Sequence, residues 1–170
     1  MHIAPALSLL AQRYPALDIT LDAVDRRVDL ISENIDLDVR IADVHEPHLV
    51  AHRLAESTRV LCAAPSYVER RGVPANVAEL SQHDCLILRD RHQPFGVRRL
   101  TGPNGAEKVK VTGRLSSNNA EIVRGWAVDG HGILLPSRCD VHADLIAGRL
   151  VPILPAFWQP ADLWARARCG

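Results

Sequence analysis

The sequence predicts an α/β fold in which a mostly parallel sheet is covered by helices. Three observations carry that expectation. The first forty residues read in order as helix, strand, helix and strand. Residues 114–135 repeat a strand–helix–strand unit. Apolar residues make up 47% of the 170 and charged residues 24%, enough for a real core with no obvious disordered share.

Each element has a local cause. Ile3, Leu7, Leu10 and Ala11 recur at helical spacing over residues 3–13, and Tyr14-Pro15 stops the run. Residues 17–24, "LDITLDAV", alternate apolar and polar and predict a strand. Asp25 then suits the N-cap of a second helix carrying Val28, Leu30 and Ile31, since its carboxylate accepts from free backbone N–H groups. Residues 35–41 alternate again and predict the next strand. Two extended segments follow, running to Pro65. Residues 66–71 predict a short helix stopped by Gly72, and Asn76 caps another that runs to Ser81. "CLILRD" reads as a buried strand. Gly102-Pro103-Asn104-Gly105 is the strongest turn signal, set between two antiparallel strands. The last third predicts a helix over 140–147 ended by Gly148, then strands over 150–154 and 162–167.

Charge and cysteine usage narrow the function classes. Lys+Arg and Asp+Glu are both 20, whereas surfaces that bind nucleic acid carry a basic surplus to neutralise phosphates. The chain alone is therefore expected to be a poor DNA binder. Cys62, Cys85, Cys139 and Cys169 lie far apart with no CxxC, which reads as free thiols in a reducing compartment. No apolar run approaches the roughly 18 residues of a membrane span, and no charged-then-apolar leader opens the chain. The expectation is a cytoplasmic protein with no membrane partner.

Motifs for chemistry are few. "HEPHLVAHR" gathers His45, Glu46, His48 and His52, but Pro47 and the absence of HExxH spacing favour solvated loop histidines over a metal site. No nucleophile elbow or acid/base set converges, so no enzyme and no cofactor are expected. "DGHGI" follows a helix rather than a strand, the wrong order for dinucleotide binding. It reads instead as a helix C-terminus capped by Gly130, with Gly132 freeing the turn into "ILLP". Ser116-Ser117-Asn118-Asn119 has two readings. One is plain capping by Ser117 or Asn118, with Glu121 completing a capping box and Ile122, Val123, Trp126 and Ala127 forming the buried face. The other uses the same N–H groups to hold an anion.

Six phrases, in order, resemble one family: "LAQRYPALDITL", "DRRVDLISENIDLDVRIA", "LVAHRLAESTRVLCAAPSYVERRGVP", "LSQHDCLILR", "RLSSNNAEIVRGWAVDGHGILL" and "GRLVPILP". Together they resemble the effector-binding domain of LysR-type transcriptional regulators. The resemblance implies two Rossmann-like lobes joined by two crossing strands, as in type II periplasmic binding proteins, apparently truncated at both ends. It places lobe one at residues 1–63 and 138–170 and lobe two at 64–137. Small residues and prolines at both boundaries suit a hinge. Carried over by position, a ligand between the lobes would meet Val24, Asp25, Arg40, Ile41, Ala42, Ala64, Pro65, Ser117, Asn118, Asn119 and Pro136. Asn118 and Asn119 have amides to donate, and Arg40 is either a fork for a carboxylate or a structural partner of Asp36 or Asp38.

The implied function is to sense a small, anionic metabolite and to oligomerise, as a homodimer or homotetramer, for a transcription factor. DNA would be met only through an N-terminal winged helix-turn-helix that is absent here. The competing reading is a stand-alone small-molecule-binding domain or a non-functional fragment. A redox variant rests on Cys139 beside Arg138.

Overall fold

In the computed structural model, residues 3–24, 28–41, 49–89 and 96–168 are described. The elements run α1 (Ile3–Arg13), β1 (Leu37–Ile41), β2 (Leu49–Ala55), β3 (Thr58–Val60), β4 (Cys62–Ala63) and α2 (Pro65–Arg71). A short 3-10 helix (Ala78–Gln82) leads to β5 (Ile87–Leu88), β6 (Val97–Gly102), β7 (Gly105–Lys110), β8 (Ser116–Ser117) and α3 (Ala120–Val128). The chain closes with α4 (Arg138–Ile146), β9 (Val151–Pro152), β10 (Trp158–Pro160) and β11 (Leu163–Arg168).

The core sits around a mixed sheet. Strand β8 pairs in parallel with β5, and Cys85 bridges in parallel to Ile133. Leu134 then bridges Cys62 in the antiparallel sense, and β4 pairs antiparallel with β9. Alternation splits this ribbon between two apolar clusters. Leu61 and Ala63 face Tyr67, Leu80, Leu100 and Ile153. Cys62 and Ala64 face Val123 and Ala127 of α3, Val141 of α4 and Leu150. A second sheet, ordered β3-β10-β6-β7, is antiparallel throughout, and its β6–β7 hairpin closes at Gly102 and Gly105 as the turn signal predicts.

A separate three-stranded sheet, ordered β1-β11-β2, is also antiparallel. The parallel arrangement expected for the first strands is thus absent from this part of the chain. Residues 17–24 form no strand despite their alternation. No ladder partner lies beside them among the described residues, and Leu17, Leu21 and Val24 are left exposed. The expected second helix shrinks to one turn. Asp29 accepts from the N–H groups of Ile31 and Ser32. Asn34 then takes a left-handed φ of 53°, which ends the turn. Asp25 lies outside the described residues, as do His45, Glu46 and His48.

Two chain segments join this sheet to the rest. Glu56-Ser57 links β2 to β3, and Ala161-Asp162 links β10 to β11. They run side by side: Ala161 N–H donates to the Ser57 carbonyl at 3.0 Å, and Ser57 N–H to Asp162 Oδ1 at 3.4 Å. Packing differs here from the expected lobe boundary at 138. Val141, Leu150 and Ile153 lie in the same clusters as residues 61–135. One ion-pair network reinforces that join. Fully buried Asp144 of α4 accepts from Arg124 Nε at 2.6 Å and Arg149 Nε at 2.7 Å, tying α4 to α3.

Candidate functional site

In an open α/β sheet, ligands meet loops at the carboxyl ends of parallel strands. Here those ends are Ser117 after β8, Leu88 after β5 and Ser137 after the strand through Ile133. Helices α3 and α4 both start from this edge, so their N-terminal N–H groups point the same way.

The start of α3 is capped one residue later than expected. Asn119, rather than Ser117 or Asn118, accepts through Oδ1 from Glu121 N–H at 2.9 Å and Ile122 N–H at 3.2 Å. Ser117 Oγ in turn accepts from Asn119 N–H at 3.1 Å. Glu121 does not close a capping box; its carboxylate pairs with Arg124 at 3.3 Å. Asn118 is exposed, and no partner engages its amide among the described residues. Val123 and Ala127 form the buried face, while Ile122 is 47% exposed and Trp126 only partly buried. The far end follows expectation: Gly130 has φ 81°, and His131 N–H returns to the Trp126 carbonyl. Gly132 is needed for a different reason from the one expected. A Cβ there would lie 2.5 Å from the Asp84 carbonyl oxygen, so the glycine lets two strands approach.

Pro136 joins this edge, its carbonyl accepting from Val60 N–H at 3.1 Å. Ala64 and Pro65 do not. Because the segment holding Cys62 runs antiparallel to Leu134, Ala64 is four residues beyond Val60, about 13 Å along the strand from Pro136. Pro65 instead opens α2 beside the C-terminus of α3, where Arg70 Nη2 donates to the Gly130 carbonyl at 2.7 Å.

The remaining expected residues belong to the three-stranded sheet. Val24 is exposed, Ile41 pairs with Leu163, and Ala42 lies outside the described residues. Arg40 takes the structural role offered by the sequence, its Nε donating to Asp38 Oδ2 at 2.8 Å. The same Asp38 oxygen accepts from buried Arg166. Across the ladder, Arg40 stands opposite Trp164, and Trp164 opposite Arg53. Trp164 Nε1 is buried and has no hydrogen-bond partner among the described residues.

Sequence reasoning missed a groove of about 760 Å³ at the two joining segments. Arg138, Cys139 and His142 of α4 form one wall, and Arg53, Glu56 and Asp162 the other. Trp158 and Pro160 of β10 lie between them. Arg53 is neutralised by Glu56 at 2.7 Å and Asp162 at 3.5 Å, whereas Arg138 and His142 have no ion-pair partner among the described residues. The predicted helix begins at 140, whereas α4 begins at Arg138, and that extra half-turn puts Arg138 and His142, four apart, on one face. Strand β10 was not predicted, so Trp158 and Pro160 between the two walls were not legible.

The cysteines divide by burial. Burial pushes the Cys62 thiol up to about 12, with Asp144 adding to it. Burial likewise pushes Cys85 up to about 11. Cys139 is exposed, its Sγ 3.1 Å from Ser137 Oγ. Among the described residues, no helix is long and apolar enough to cross a membrane.

Comparison with known proteins agrees with this geometry. The family model described as the LysR substrate binding domain matches residues 1–167. The HTH-type transcriptional regulator DmlR of Escherichia coli K12 is 46% identical over 163 residues, covering 96% of this chain and 53% of that protein. The HTH-type transcriptional activator TtdR of the same strain is 44% identical over 164 residues, with the same coverage. The chain thus spans about half the length of these relatives, which are named as regulators rather than enzymes. Among solved structures, the full-length Vibrio cholerae virulence activator AphB superposes with a TM-score of 0.85 at 23% identity, covering 99% of this chain and 57% of that one. CrgA of Neisseria meningitidis gives 0.83 at 24%, covering 98% and 56%. Both share the α/β fold described above. The chain belongs to the LysR substrate-binding-domain family.

Proposed function

We propose that the chain is the effector-sensing part of a LysR-type transcriptional regulator and binds a small anionic metabolite between two lobes. The lobe division that suits the packing is residues 1–56 with 162–170, and residues 57–161, which moves both expected boundaries, from 63 to the Glu56-Ser57 link and from 138 to the Ala161-Asp162 link. From the first lobe the effector would meet Val24, Asp25, Arg40, Ile41 and Ala42. From the second it would meet Ser117, Asn118, Asn119 and Pro136. Ala64 and Pro65 leave this set because they sit at the other end of their strand.

The observation that carries the reading is the convergence at one sheet edge of Ser117, Asn118 and Pro136 with the starts of two helices. Asn118 supplies an unengaged amide, and helix N-termini favour negative charge. From the first lobe Arg40, whose Nε is held by Asp38, would offer its remaining guanidinium N–H groups. A ligand touching both lobes would fix their relative orientation and so reset DNA-binding domains carried elsewhere in a cytoplasmic regulator. Oligomerisation would use α1 and β1's lobe against the α3 face of a second copy. Exposed Leu9, Leu10 and Ile122 support that role.

A thermal-shift screen of small carboxylates tests the proposal. A ligand at a hundred times its Kd stabilises the folded state by ~2.7 kcal/mol, which reads as a clear rise in Tm. The active compound is expected to lose most of its effect against Asn118→Ala and Arg40→Gln. A flat response to every carboxylate, or an unchanged response in both variants, sinks the assignment.

A further inference from the structure

The groove at the joining segments adjoins that edge at the start of α4, but none of Ser117, Asn118, Asn119 and Pro136 lines it. Its composition nevertheless points to a ligand. Strand alternation puts Thr58, Val60 and Cys62 on one face of the ribbon, the face on which α4 packs through Val141. The groove opens on this same face, beyond the apolar cluster.

Its charge is unevenly balanced. Arg53 already satisfies Glu56 and Asp162, so that wall presents a closed ion-pair set. The facing wall presents Arg138 and, one helical turn on, His142, neither of them paired among the described residues. Ser137, placed to cap α4, does not do so; its hydroxyl lies 3.1 Å from Ser57 Oγ. Arg138 and His142 therefore offer donors that meet no carboxylate among the described residues. Between the two walls, Trp158 leaves 39% of its surface open beside Pro160, an apolar platform for which a bare inorganic ion has no use. The volume of about 760 Å³ is that of a small-molecule site.

We propose that this groove is a second ligand site, one that takes a small organic carboxylate with its charge on Arg138 and His142 and its apolar body against Trp158. An occupant would touch α4 and both joining segments together. It would thereby bias the angle between the two lobes independently of the effector at the strand edge.

Titration calorimetry with phenylacetate tests this, with 2-phenylethanol as the uncharged match and inorganic phosphate as the charge without the apolar body. Phenylacetate is expected to bind saturably, at least about tenfold more tightly than either control, as one charge-assisted contact in a partly dry groove provides. Arg138→Gln and His142→Ala should each weaken phenylacetate and leave Tm unchanged, since both side chains lie at the surface of α4. Asn118→Ala should leave phenylacetate binding intact while weakening the carboxylate found for the strand edge. Equal affinity for phenylacetate in the parent and in Arg138→Gln overturns the site. Binding of phosphate as tight as that of phenylacetate overturns the ligand class. Loss of phenylacetate binding in Asn118→Ala alone moves the ligand to the effector site and removes the second one.

Discussion

Asp144 is fully buried yet charged, and its cost is met by two guanidinium groups. Burial raises its carboxyl pKa, but the hydrogen bonds from Arg124 and Arg149 outweigh this and hold it below the ordinary aspartate range. A depressed folded-state pKa means the contribution is present in full above the unfolded value of about 3.9 and is lost as pH falls through the folded one. Asp144→Ala should therefore cost about 1–3 kcal/mol at neutral pH, because it removes the charge-assisted bonds that tie Arg124 and Arg149 to α4. Urea melts should show the gap between parent and variant closing below pH 4; a constant gap down to pH 2 contradicts the ion-pair account. The thiols offer a second check. With Cys62 near 12 and Cys85 near 11, neither holds thiolate at pH 8, whereas Cys139 is open to reagent. Iodoacetamide labelling of the folded chain followed by peptide mapping should modify Cys139 and spare both buried cysteines.

Helix α3 shows what local pattern carries and what it does not. Its span, its Gly130 exit and its Val123-Ala127 face follow from 3.6-residue spacing and glycine chemistry. Its cap was misplaced by one residue, since Ser117, Asn118 and Asn119 are all good caps and only tertiary placement of β8 selects Asn119. Asn119→Ala should cost about 1 kcal/mol, visible as a lower Tm, while Asn118→Ala should cost almost nothing. The glycine pair teaches the same lesson. Gly130 is legible as a left-handed cap, but the need for Gly132 comes from the Asp84 carbonyl, a contact 48 residues away that no local pattern encodes. Gly132→Ala should destabilise by about 1–3 kcal/mol by pushing β5 away from the strand beside it. Residues 17–24 fail for a related cause: alternation is a property of the segment, but a strand is a property of a pair.

The order of elements and the family resemblance made the α/β class readable, but the pairings of β11 with β1 and β2, and of β10 with β3, join segments far apart in sequence. Where the lobes divide is a proposal: proline and small residues suggest Pro136-Ser137 as the second boundary, and packing favours the Ala161-Asp162 link. Val141 and Leu150 share a core with Val123 and Leu86, so α4 stays with the lobe that α3 belongs to. That placement puts Arg138 and His142 at the joint and draws Ala64 away from the strand edge. Hydrogen exchange followed by mass spectrometry, run with and without the carboxylate that shifts Tm most, tests this arrangement most directly. The effector account predicts slowed exchange at the amides of Ser117–Asn119 and Ser137 together with the Arg40 strand, because one ligand would close both lobes on itself. Protection absent from the Ser117–Asn119 edge, with the ligand demonstrably bound, would contradict it.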